Sequence, residues 1–86
     1  MNISVELTLT PLHDNFEPPI INFIKNLRDS GLKVLENPLS TQVYGDYDTV
    51  MNVLQVEMKT ALESVDKGLL YIKIVKSDRS DYEPHF

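Results

Sequence analysis

The chain has 86 residues, room for one domain and one core but not two. It contains no cysteine, which excludes disulfides and thiolate metal sites and fits a reducing cytoplasm. The net charge is -5, and the eight Lys and Arg are scattered, a balance that disfavours nucleic acid and anionic membranes and mildly favours a neutral or cationic ligand.

No apolar run approaches the roughly 20 residues of a membrane span, and no basic-then-apolar start marks a secretory signal. Residues 2–10, NISVELTLT, alternate with period two: Ile3, Val5, Leu7 and Leu9 against Ser4, Glu6, Thr8 and Thr10. That is a strand with one buried face, ended by Pro11 and followed by a polar loop, LHDNFE. Pro18 and Pro19 suit the first turn of a helix, where a missing N–H costs nothing. Ile20, Phe23, Ile24 and Leu27 then follow helical spacing, and Gly31 is expected to close the helix as a left-handed C-cap.

Two strand-like runs come next, LKVLEN and STQVYG, with Asn37-Pro38-Leu39 as the turn between them. Asp46 or Asp48 can cap a second helix with a stripe of Val50, Val53, Leu54, Met58, Ala61, Leu62 and Val65. Lys67 and Gly68 are expected to end it. LLYIKIVK is the last strand, with Leu70, Ile72 and Ile74 on one side and Tyr71, Lys73 and Val75 on the other. The order strand, helix, strand, strand, helix, strand predicts an α+β, ferredoxin-like βαββαβ domain over residues 1–78. Four antiparallel strands would carry both helices on one face. Residues 79–86 form a charged, aperiodic tail, expected to be mobile.

Two helices cover one sheet face and leave the other open. Alternation assigns Ser4, Glu6, Thr8, Thr10, Lys33, Leu35, Asn37, Gln42, Tyr44, Tyr71, Lys73 and Val75 to that open face. The mixture suits an oligomer surface or a small polar-aromatic ligand site. A chain this short buries only about 60% of its unfolded surface, so a homo-oligomer, dimer or tetramer, is expected. No catalytic constellation appears. Cysteine is absent, no serine sits in a nucleophile elbow, and no acid–base pair stands out. His13, Asp14 and Glu17 match no metal-ligand spacing, and their loop reads as solvated. Glu6 is the single acid inside the first strand. It reads either as a charge guarding an edge strand or as an acceptor for a ligand amine.

The segments ISVELTLTPL, SGLKVLENPLSTQVYGDYDTV and YIKIVKSDR resemble the YkoF-like family of thiamine- and hydroxymethylpyrimidine-binding proteins over about residues 2–79. The most specific part is Ser-Gly-Leu-Lys, Asn-Pro-Leu-Ser-Thr and Gly-Asp-x-Asp-x-Val, in that order. Tyr44 departs from the family, where Glu often precedes the glycine, and Leu69-Leu70 stand where a basic residue often precedes the last strand. The resemblance implies the same fold, assembly into dimers or tetramers, and non-catalytic binding of thiamine or its pyrimidine half, with no cofactor. It draws attention to Glu6, Thr8, Asn37, Ser40 and Thr41. An aminopyrimidine needs a donor–acceptor edge, which Glu6, Thr8, Asn37 and Thr41 can supply, while Tyr44 or Tyr71 can stack on a ring. Glu6 is then the most consequential group, as acceptor for the exocyclic amine. Alternation points Thr41 with Val43, toward the helices and away from Glu6, so one shared pocket needs a strand end or bulge near Ser40. A regulatory sensor of amino-acid type, binding at a subunit interface, is the alternative on this fold.

Overall fold

The computed structural model describes residues 1–86 as a βαββαβ domain. The elements are β1 (Asn2–Pro11), α1 (Glu17–Arg28), β2 (Lys33–Glu36), β3 (Thr41–Asp46), α2 (Tyr47–Glu63) and β4 (Gly68–Val75). The four strands are antiparallel in the order β2-β3-β1-β4. This is the predicted ferredoxin-like arrangement.

Register follows from alternation. Val5 lies between Val43 and Ile74, and Glu6 lies between Gln42 and Lys73. One face therefore carries Ile3, Val5, Leu7, Leu9 and Val43, all at most 5% exposed. Phe23 and Leu27 of α1 and Val50, Leu54 and Ala61 of α2 complete the core. The two central strands are well covered and the last one is not. Ile72 and Ile74 share the covered side yet remain 42% and 46% exposed, because β4 lies at the sheet's edge, outboard of the helices.

The caps correct several expectations. Asp46 accepts from the Asp48 N–H at 3.2 Å and is the cap of α2, settling the choice between the two aspartates. Its carboxyl sits below the usual range because the N-terminal ammonium donates to it and the Thr49 N–H adds to that. α1 begins with Pro18 and Pro19 in its first turn but ends at Arg28, so Gly31, at φ +86°, lies beyond the cap rather than in it. There the Ser30 hydroxyl donates to the Leu27 carbonyl. α2 ends at Glu63, short of Lys67 and Gly68, because Ser64 turns both its N–H and its hydroxyl back onto the Ala61 carbonyl. Gly68 instead opens β4 opposite Pro11, where a Cβ would meet the Thr10 carbonyl at 3.3 Å.

Two further differences bear on function. β1 is an interior strand, so Glu6 cannot be an edge charge. The segment after β4 bonds back onto the sheet at its start. The Ser4 hydroxyl, on a residue 7% exposed, donates to the Ser77 carbonyl at 2.7 Å and accepts from the Arg79 N–H at 2.8 Å. Lys33 and Asp81 pair at 3.5 Å farther along, so the strap crosses the open face toward β2.

Candidate functional site

The β2–β3 turn is built by one side chain. Asn37 Oδ1 accepts from the Leu39 N–H at 2.8 Å and the Ser40 N–H at 3.0 Å, while Asn37 N–H donates to the Ser40 carbonyl at 3.1 Å. An asparagine side chain that mimics a backbone acceptor is the reason Asn initiates turns. Thr8 fixes the turn to β1 by donating from Oγ1 to the Leu39 carbonyl at 3.2 Å.

A cleft of about 160 Å³ opens between this turn, β1 and α1. Leu7, Leu9, Ile20, Phe23 and Ile24 supply its apolar wall, and Thr8, Asn37, Ser40 and Thr41 its polar rim. Thr41 is 5% exposed. Its hydroxyl has no partner within the chain, and it is not sealed off, since no side-chain polar atom is both buried and unpaired.

Donor and acceptor capacity can be counted. Ser40 Oγ donates to Glu6 Oε2 at 3.0 Å and accepts from Gln42 Nε2 at 2.7 Å. Its single proton is thus engaged and one lone pair is left, so toward the cleft it only accepts. Asn37 has committed its oxygen, and its NH₂ remains to donate. Thr41 can do either. An apolar slot with one acceptor, one donor and one adaptable hydroxyl suits a flat heteroaromatic ring bearing an amine.

The predicted site residues divide between two places. Thr8, Asn37, Ser40 and Thr41 meet at the cleft. Glu6 and Tyr44 lie on the open face in a smaller groove of about 110 Å³, with Ser4, Gln42, Lys73, Val75 and the strap residue Arg79. The Ser40 hydroxyl, bonded to Glu6, bridges the two. The strand end at Ser40 thus turns Ser40 to Glu6 while Thr41 faces the helices, with no bulge in the ladder. Sequence reasoning missed Ile20, Phe23 and Ile24 as site residues. Their spacing marked them as core, and only the pairing of β2 with β3 brings the turn over them.

A family model described as thiamine-binding protein matches residues 5–86. Among solved structures, a Streptococcus pneumoniae protein aligns with TM-score 0.84 at 22% identity, covering 94% of this chain and 92% of that one. A Methanocaldococcus jannaschii protein aligns with TM-score 0.76 at 24% identity, over 95% and 84%. A Thermotoga maritima protein provisionally assigned to thiamine biosynthesis or salvage aligns with TM-score 0.80 at 16% identity, over 90% and 85%. At these identities the structures share the fold with this chain. None of the curated proteins matches it.

Proposed function

The chain belongs to the thiamine-binding protein family, and from that premise we propose that it binds thiamine or its hydroxymethylpyrimidine precursor without chemically transforming it. The aminopyrimidine ring sits in the cleft under the β2–β3 turn. The observation that carries this is the size and lining of the cleft. At about 160 Å³ the cleft has room for one aromatic ring, close to the roughly 150 Å³ of an apolar cavity known to take benzene. One six-membered ring fits, and a thiazolium attached to it extends outside.

Within the cleft, Ser40 accepts from the exocyclic amine, Asn37 NH₂ donates to a ring nitrogen, and Thr41 bonds the remaining edge. Glu6 acts through Ser40, holding its proton away from the cleft so that a lone pair faces the ligand. Tyr44 stays in the neighbouring groove. No step needs a metal or cofactor, and a carrier or sensor in thiamine salvage or transport is the matching role. A cysteine-free chain suits the cytoplasm. No helix is long and apolar enough to cross a membrane.

One observation favours a second reading. The open-face groove sets Glu6 near Lys73 and Arg79, opposite charges that a free amino acid would match. A thermal-shift comparison separates the two, since a ligand that binds only the folded chain raises its melting temperature. Hydroxymethylpyrimidine and thiamine should both raise it, and amino acids should not. The reverse result would move the function to the groove.

A further inference from the structure

The cleft holds one ring, so the second ring of a thiamine lies at its mouth, against whatever the neighbouring elements place there. The mouth is at the end of the sheet where β1 stops and α1 begins. β1 and β3 are antiparallel with Leu7 opposite Thr41, so the β2–β3 turn overhangs the last residues of β1. The Thr8 hydroxyl holds the Leu39 carbonyl there. The start of α1 borders the same space, with Ile20, Phe23 and Ile24 in the wall of the cleft.

Phe16 stands one turn before that wall. Its backbone is already helical, at φ -86° and ψ -21°, so the phase of α1 extends back to it. Phe16, Ile20, Phe23 and Ile24 then fall at i, i+4, i+7 and i+8, on one stripe of the helix. Phe16 is therefore on the side of α1 that walls the cleft, about 6 Å beyond Ile20 along the axis. Phe23 on this stripe is 3% exposed, whereas Phe16 is 47% exposed and makes no capping bond. On the opposite lip the side chain of Leu39 is 83% exposed.

The charges around this mouth have one sign. No residue lining the cleft is charged. Asp14 and Glu17 flank Phe16, and neither takes part in an ion pair. Arg28 and Lys33 are engaged by Glu36 and Asp81. Pro18 and Pro19 remove two of the N–H groups with which a helix start would hold an anion. Lips that are aromatic, apolar and negative suit a flat, delocalised cation.

We propose that Phe16 is a specificity residue: its ring takes the thiazolium against its face, with Leu39 opposite, and the site thereby selects the two-ring cation over neutral hydroxymethylpyrimidine. This rests on the reading that the pyrimidine occupies the cleft. A thiazolium joined through one methylene reaches across the single helical turn between Ile20 and Phe16. Hydroxymethylpyrimidine carries only a hydroxyl on that carbon and leaves Phe16 in water.

Calorimetric titration of the full chain with thiamine and with hydroxymethylpyrimidine tests the proposal. A cation on an aromatic face gains a factor of roughly 2 to 30 in affinity, so thiamine should bind tighter by that factor. Phe16→Leu keeps an apolar side chain and removes the aromatic face. It should bring thiamine down to the affinity of hydroxymethylpyrimidine and leave the latter unchanged, which also shows that the variant is folded. Phe16→Tyr should keep the preference. An analogue with a neutral thiophene in place of the thiazolium should lose most of it. Hydroxymethylpyrimidine binding with no preference for thiamine overturns the proposal and leaves the cleft reading standing. So does a preference that survives Phe16→Leu, a Phe16→Leu loss equal for both ligands, or a thiophene analogue that binds as tightly as thiamine. Binding of neither ligand overturns the cleft reading and this proposal together.

Discussion

Thr41→Val isolates one hydroxyl at the centre of the proposed site. Thr41 is 5% exposed and lines the cleft, and its oxygen has no partner in the chain. Valine keeps the branched shape and exchanges the hydroxyl for a methyl. In the free protein nothing is lost, so folding should be unaffected or slightly favoured. For a domain this size about 1 kcal/mol corresponds to roughly 4–8 °C, and the melting temperature should stay level or rise within that range. In the complex the change removes a partner from a desolvated ligand atom. An unpaired polar group costs about 1–3 kcal/mol, a loss of roughly 5- to 150-fold in affinity. Thr41→Ser, which restores the hydroxyl, should return affinity to within a few-fold. Calorimetric titration with hydroxymethylpyrimidine reads both variants. Unchanged affinity in Thr41→Val would refute the assignment of this hydroxyl to the ligand. A melting temperature lowered by more than about 8 °C would show that it supports the fold instead.

Asn37→Ala deprives two turn amides of their acceptor, so exchange at Leu39 and Ser40 should quicken and ligand affinity should fall by about 1 kcal/mol or more, roughly fivefold. Glu6→Gln leaves an acceptor for Ser40 but introduces an amide that can compete for the Ser40 oxygen; titration should show a smaller loss than Thr41→Val. Ser4→Ala removes the two hydrogen bonds that tie the strap to β1, and trypsin should then cut after Lys76 and Arg79 faster while circular dichroism is unchanged. The Arg28 guanidinium, by hydrogen bond and charge, holds the Glu36 carboxyl below its ordinary value. A depressed carboxyl contributes stability above its unfolded value of about 4.3 and loses it as pH falls through the folded one, so the melting-temperature gap between the parent and Glu36→Gln should shrink below pH 4. The pair is solvent-exposed, so the gap should be small.

How far the molecule could be read beforehand depended on whether local periodicity or long-range pairing decided the matter. Alternation in NISVELTLT assigned the two sheet faces correctly because β1 is central and packed from the helix side, where Ile3, Val5 and Leu7 are each 1% exposed. The same rule says nothing about strand order, so it could not show that Glu6 is flanked on both sides or that Ile72 and Ile74 overhang the helices. Caps were misjudged where a serine hydroxyl reached back to a carbonyl before the expected glycine, at Ser30 and Ser64. The division of Thr41 from Glu6 was legible from alternation. The means by which Ser40 connects them was not, because a hydroxyl at a strand end obeys no period. The strap was invisible, since its anchors join residues separated by more than seventy positions.

The central claim is that a single aminopyrimidine ring occupies the cleft under the Asn37–Ser40 turn. Titrating the isotope-labelled chain with hydroxymethylpyrimidine, and following every backbone amide, tests it most directly. Shifts should concentrate at Thr8, at residues 37–41 and along Ile20–Ile24. Shifts confined to Glu6, Tyr44, Lys73 and Arg79, or none at saturating ligand, would contradict it.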